Sequence, residues 1–139
     1  MKRVLTGVVA MLVALLIGGA THAAGPPIHV GHDLTGYNQG GTSLTADYSL
    51  RVENQGDLPL SEVTLSLVPL PPLFAERATV NLGYLAPHEK RDVFLQVVIP
   101  VRIDAARVSA TPLFWAASYR DADGKVAEFA VTSKPGGAK

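Results

Sequence analysis

His29, His32 and Asp33 form the one compact group in this sequence whose side chains are ordinary metal ligands. A neutral imidazole binds a divalent ion through a ring nitrogen, and a neighbouring carboxylate can add an oxygen. The spacing works against a shared ion. In a regular strand, positions three apart point to opposite faces, so His29 and His32 could meet on one metal only from a loop or a bulge. The competing reading is two surface histidines near the start of the folded chain, with His88 remote from both. Asp121-Ala122-Asp123-Gly124 has the opening of a calcium loop, but the further acid and the bidentate Glu beyond the glycine are missing. A hairpin turn is expected there, with Gly124 supplying the positive φ.

Catalytic chemistry is harder to place. Serine, histidine and aspartate are plentiful, yet no Gly-x-Ser-x-Gly elbow, phosphate-cradling glycine loop or His-Glu-x-x-His occurs. The chain has no cysteine, and its 2 methionines, Met1 and Met11, both precede residue 24. Thiolate nucleophiles, disulfides and thiolate or thioether metal sites are therefore excluded from the rest of the chain. The expectation is a protein that is not an enzyme and carries no cofactor.

Aromatic surface points to a different kind of work. Phe114, Trp115, Tyr119 and Phe129 gather in the last third of the chain. Alternation puts Leu113, Trp115 and Ala117 on one face and Phe114, Ala116 and Ser118 on the other. One face belongs to a core, and the other is a candidate contact surface. Pro69-Leu70-Pro71-Pro72 could serve as a polyproline ligand, but a crossover between sheets already explains three prolines that cannot sit in a central strand. Glu89-Lys90-Arg91-Asp92 reads as a solvated turn.

The elements that must hold these residues follow from hydrophobic periodicity. Lys2 and Arg3, the apolar run Val4 to Ile17 and the small residues of Thr21-His22-Ala23 have the pattern of an export signal cleaved after Ala23. The run is shorter than the ~20 residues a membrane span needs. Without Lys2 and Arg3, the 12 basic residues become 10 against 12 acidic ones, a net charge of −2 with histidines neutral. That balance offers nothing to nucleic acid or an anionic membrane surface.

Beyond the signal the dominant period is 2. Leu44, Ala46, Tyr48, Leu50 and Val52 alternate with polar residues, as do Val63, Leu65 and Leu67, and Val93, Leu95, Val97 and Ile99 alternate with Asp92, Phe94, Gln96 and Val98. Val80 and Leu82 make a short strand, and Val101 to Thr111 is expected to be another, blurred by Ala105-Ala106. Leu113 to Arg120 and Lys125 to Val131 form a final hairpin, and Ile28 to Leu34 is a weaker first strand. This divides the chain into a signal (1–23), an N-terminal segment with a possible first strand (24–43), a β domain (44–132) and a frayed tail (133–139). Short strands with turn signals near every ten residues predict a two-layer antiparallel β-sandwich, with a barrel as the next choice.

Two stretches carry a family resemblance. Leu50-Arg51-Val52-Glu53-Asn54-Gln55-Gly56, followed by Leu60, Val63, Leu65 and the proline-rich segment, and then Val80-Asn81-Leu82-Gly83-Tyr84-Leu85-Ala86-Pro87 ahead of Ile99-Pro100, resemble bacterial extracellular immunoglobulin-like modules of the CARDB and NPCBM-associated type. The resemblance covers Leu44 to Val131. It implies an immunoglobulin-like β-sandwich of about seven strands and says little about chemistry, because its motifs mark turns and core positions. His88 stands where such modules usually carry glycine, so a left-handed backbone is expected at that residue.

The expected function is an exported, non-catalytic module, periplasmic or secreted, that contacts a protein or a glycan of the cell envelope through Phe114, Trp115, Tyr119 and Phe129. It would have no nucleic-acid partner and no membrane span once the signal is cleaved, and it could self-associate through the last hairpin. The alternative is a small periplasmic metal-binding protein using His29 and His32.

Overall fold

The structure is a computed structural model that describes residues 26–136, and the expected signal, 1–23, lies outside the described residues. The chain is all-β. Seven strands, β1 (Ile28–Gly40), β2 (Ser43–Asn54), β3 (Leu60–Leu67), β4 (Thr79–Leu85), β5 (Lys90–Ile99), β6 (Leu113–Arg120) and β7 (Val126–Pro135), are joined by turns and one short helix, α1 (Ala105–Ala110). They form one mixed sheet in the order β4-β3-β6-β7-β1-β2-β5. Every neighbouring pair is antiparallel except β1 and β7, which run parallel where Gly31 meets Lys134 and His32 meets Pro135. The sheet curls until its edge strands are tied to each other. The Arg91 guanidinium of β5 donates to the Leu82 carbonyl and, at 2.7 Å, to the Tyr84 carbonyl of β4, while the Glu76 N–H ahead of β4 donates to the Val98 carbonyl at 2.8 Å. The result is nearly barrel-shaped.

Period-2 alternation places the core. Leu44, Ala46, Tyr48, Leu50 and Val52 of β2 and Val63, Leu65 and Leu67 of β3 are buried, on the phases the sequence assigns, and of the two faces of β6 the buried one is that of Leu113, Trp115 and Ala117. Each large apolar side chain so buried stabilises the fold by roughly 1.5 to 3 kcal/mol relative to exposure. On β5, Val97 and Ile99 are buried, whereas Val93 and Leu95 are half-buried because β5 has a neighbour on one side only.

Several expectations need correcting. The strand expected over Val101 to Thr111 is instead α1, because local helix signals outweigh three β-branched residues. The Asp104 carboxylate caps the first turn by accepting from the Ala106 N–H at 3.2 Å, and Ala105-Ala106 supply helix propensity, leaving Val108 as the buried residue. The first strand does not stop at Leu34. It continues to Gly40, pairing with β2 past a bulge between Leu34 and Gly36, so a division at residue 43 would cut through a hairpin. The tail expected to fray from residue 133 is strand as far as Pro135, with Ser133 fully buried. The proline-rich segment is not a crossover between sheets, since β3 and β4 on either side of it are hydrogen-bonded neighbours. The link between β2 and β3 joins strands that are not paired with each other.

That link is held by Asn54. Its buried side-chain amide donates to the carbonyls of Leu58 at 2.9 Å, Ala86 at 3.1 Å and Leu85 at 3.3 Å, while its oxygen accepts from the Gly56 N–H at 3.0 Å. One side chain thereby joins the β2–β3 and β4–β5 turns. His88, in the second of these, has φ 62°, the left-handed backbone expected there, and its Nε2 lies 2.8 Å from the exposed Asp57 carboxylate. Gly124, at φ 83°, closes the β6–β7 hairpin. There the Asp121 carboxylate accepts from the N–H groups of Asp123 and Lys125, both at 2.9 Å.

One substitution pair tests this register, and a single substitution tests the turn at His88. Leu65→Ala should cost about 2 to 5 kcal/mol in denaturant unfolding, because a fully buried leucine leaves a cavity, whereas Ser66→Ala on the solvent phase should cost a few tenths. Equal losses would mean the register is wrong. His88→Gly should be neutral or slightly stabilising, since glycine carries no Cβ penalty at positive φ. A loss above roughly 1 kcal/mol would instead assign the Asp57 contact a structural role.

Candidate functional site

The histidines expected as metal ligands are not brought together. His29 is exposed, whereas His32 is completely buried, as opposite strand phases require. No group of three or more metal-ligating side chains occurs among the described residues. His32 instead belongs to a polar cluster inside the fold. Its Nδ1 lies 2.7 Å from Ser133 Oγ, and the same oxygen accepts from Trp115 Nε1–H at 2.8 Å. The indole can only donate, so Ser133 Oγ accepts from it while sharing a second hydrogen bond with His32 Nδ1. The Tyr48 ring meets the imidazole edge to face, 5.4 Å between centroids and 85° between planes. Neither His32 Nε2 nor Tyr48 Oη has a well-aligned partner.

A serine hydroxyl within hydrogen-bond reach of an imidazole is the first requirement of a serine nucleophile. The second requirement, access, fails here. Ser133, His32 and Trp115 all have 0 % exposure, and the indole occupies the serine lone pair that faces it. The cluster is architectural: it joins β1, β6 and β7 at the one parallel junction of the sheet. Burial pushes the His32 imidazole below its ordinary 6.5, against the opposing pulls of the Thr111 backbone and the Asp33 carboxylate. Burial likewise pushes the Tyr48 hydroxyl up to about 12. Ser133 was hidden from sequence reasoning because a lone serine before Lys134-Pro135 has no periodic signal.

The aromatic residues divide by strand phase. Trp115 is core, which removes it from any contact surface. Tyr119 and Phe129 are half-buried and packed edge to face, their rings 5.5 Å apart. Phe114 lies on the outward phase of β6 and is 37 % exposed. Beside it the outward residues of three adjacent strands, Thr64 and Ser66 of β3, Ala116 and Ser118 of β6, and Glu128 and Ala130 of β7, line an open trough of about 470 Å³. Glu128 is the one charge in the lining, to which Val68 and Phe129 add larger apolar surface. The serine and threonine hydroxyls are paired across strands, Thr64 with Ser118 at 2.7 Å and Ser66 with Thr79 of β4 at 3.1 Å, so the floor is rigid and little of its hydrogen bonding is left free. Such a face can receive a flat partner at small desolvation cost.

Phe94 has the greatest exposure of the large apolar side chains, 78 %, and lies on the outward phase of β5. The signal for it was present in the sequence as a phenylalanine between Asp92 and Gln96 on the same strand phase.

The buried imidazole generates a pH test. Its folded-state pKa is lowered, so the unfolded chain binds more protons between that lowered value and 6.5. The stability tied to neutral His32 is present in full above pH 6.5 and is lost as pH falls from there through the folded-state value. Melting temperatures between pH 7.5 and pH 5 should therefore fall more steeply for the native protein than for His32→Gln, whatever the absolute cost of that change. Parallel pH profiles would show that His32 is not held neutral by the fold. Comparison with known proteins finds no match to any family model and none to a curated protein.

Proposed function

We propose that the chain is an exported, non-catalytic immunoglobulin-like module that binds a protein or a glycan of the cell envelope through the outward face of β3, β6 and β7. Its strand order supports the sandwich reading. β5-β2-β1 and β4-β3-β6-β7 form two antiparallel groups, each burying alternate side chains, and the two-residue parallel contact of β1 with β7 is their only strand pairing with each other. Two such groups face to face make a two-layer sandwich. The positive n-region and apolar run ahead of residue 24 support export, and no helix among the described residues is long and apolar enough to cross a membrane.

The observation that carries the contact reading is the trough itself. It is a broad, nearly uncharged patch of alanine and hydroxyl side chains with an exposed phenylalanine at its side, on a sheet face where soluble proteins ordinarily place charge. Small side chains let a partner approach the strands closely, and Phe114 offers the aromatic anchor common at binding hot spots.

Blocking the trough tests the reading. Ala116→Arg fills its floor and Phe114→Ser removes the anchor, and both positions face solvent. Each should weaken binding to an envelope protein or cell-wall glycan by about tenfold or more, with the melting temperature nearly unchanged. Binding that survives both changes would move the contact surface elsewhere on the module.

A further inference from the structure

The free edge of β5 has an orientation that the hydrogen bonds define twice over. The Asn54 N–H, at the end of β2, donates to the Glu89 carbonyl at 2.9 Å, so odd-numbered residues of this strand turn their main chain toward β2. The Val98 carbonyl accepts from Glu76, outside the sheet ladder, so even-numbered residues turn theirs away. Asp92, Phe94 and Gln96 therefore present their N–H and C=O groups along an open edge. Val98 limits that edge at one end, and at the other the Arg91 side chain crosses to β4.

Exposed edges are normally guarded by proline, by a bulge or by charge that a second strand would have to bury. β4, the opposite edge, is guarded in this way, with Gly83 at φ 69° breaking its register and Arg91 occupying the Leu82 and Tyr84 carbonyls. Between Asp92 and Gln96 there is no proline and no bulge. The one charge, Asp92, is already held by Arg51 in a two-pronged pair at 2.8 and 3.1 Å, and this guanidinium holds its carboxyl below the usual range. Gln96 is engaged with Asp47 at 3.1 Å. Phe94 stands between these two anchored side chains, opposite the small Ser49 on β2.

We infer that this edge is a self-association surface, on which a second copy of the chain adds its own β5 antiparallel about a two-fold axis at Phe94. In that register Phe94 meets Phe94 of the partner subunit as a hydrogen-bonded pair, and Asp92 faces Gln96 of the partner subunit on each side of the axis. No like charges are juxtaposed, and the aromatic pair is an ordinary cross-strand stabiliser. The second copy is favoured over an unrelated peptide because the edge is its own complement: each open main-chain group finds its counterpart in the same five residues, as an isologous contact requires. The pairing joins two β5-β2-β1 groups into one continuous sheet. It covers Phe94 and the half-buried margins of Val93 and Leu95, and it leaves the β3-β6-β7 trough open, so it does not depend on the function proposed for that face.

Sedimentation of the purified protein over a concentration series tests this, with charge reversal at the axis as the discriminating arm. The native protein should show a concentration-dependent monomer–dimer equilibrium. Phe94→Lys and Phe94→Glu, each placing like charges across the axis, should raise the dimer dissociation constant at least about tenfold while the melting temperature of the monomer holds. Mixing the two variants should restore the dimer, because lysine then faces glutamate, a result that only a register pairing residue 94 with itself produces. A native protein that stays monomeric at all concentrations, or variants that dimerise as well as the native chain, would overturn the proposal. Dimers that both variants weaken but their mixture does not rescue would overturn the register and with it the two-fold strand addition.

Discussion

The Ser133 hydroxyl reinforces the shortest strand pairing in this fold. Strands β1 and β7 touch over two residue pairs, yet this short parallel contact joins β5-β2-β1 to β4-β3-β6-β7 in the sheet order. Two ladder positions are a thin connection between groups of three and four strands. By accepting from Trp115 of β6 and bonding His32 of β1, Ser133 of β7 ties three strands at one buried oxygen. Buried polar groups are costly unless satisfied, and a satisfied network fixes one packing arrangement in a way that interchangeable apolar contacts do not. The chain end continues the same clasp: the Gly136 N–H donates to the His32 carbonyl at 2.9 Å and to the Asp33 carboxylate at 3.0 Å.

The far side of the molecule is joined by side chains rather than by a ladder. Arg91 spans from β5 to two carbonyls of β4, and Glu89, held in place by the Ala86 N–H at 2.8 Å, accepts from the same guanidinium at 2.7 Å. These contacts, with the backbone hydrogen bond between Glu76 and Val98, leave the β5 edge open between them. A sheet fully closed into a barrel has no edges to offer a partner, whereas one that stops short keeps a segment of unpaired main chain. The two candidate surfaces thus have different origins. The trough comes from what the outward phases of β3, β6 and β7 lack, namely bulk and charge, and the β5 edge comes from where the sheet fails to close.

Strand identity was legible because a half-buried strand must alternate, and β2, β5 and β6 do so along their length, as β3 does from Val63 onward. What alternation cannot convey is which strands become neighbours. Pro69 to Pro72 excluded a central strand correctly, but a proline-rich segment can join paired strands as readily as distant ones. Ile28 to Leu34 alone reads as a weak strand, but pairing with β2 extends β1 to Gly40, a tertiary constraint that overrides local propensity. At the candidate sites, the period-2 rule put Phe114 and Trp115 on opposite faces, but which face is buried is decided by the packing of β6 between β3 and β7. The role of Ser133 was illegible because it depends on two residues distant in sequence, His32 and Trp115.

The buried Ser133–His32 pair also shows why residue types alone are weak evidence of catalysis. A hydroxyl 2.7 Å from an imidazole nitrogen has the geometry of an activated nucleophile, but reaction requires a reacting atom to approach the oxygen, and here an indole N–H already occupies it within the core. Opening that site would mean separating β1 from β7 and stripping Trp115 of its partner, which amounts to unfolding the junction that the cluster maintains. The same three side chains cannot both hold the strand groups together and admit a substrate between them. Any chemistry that needs another molecule to approach is therefore left to the surfaces that the closed core supports from beneath. Trp115 and Ala117 pack inward on the strand whose outward residues Ala116 and Ser118 line the trough and whose Phe114 stands beside it, so the buried cluster and that face share one strand.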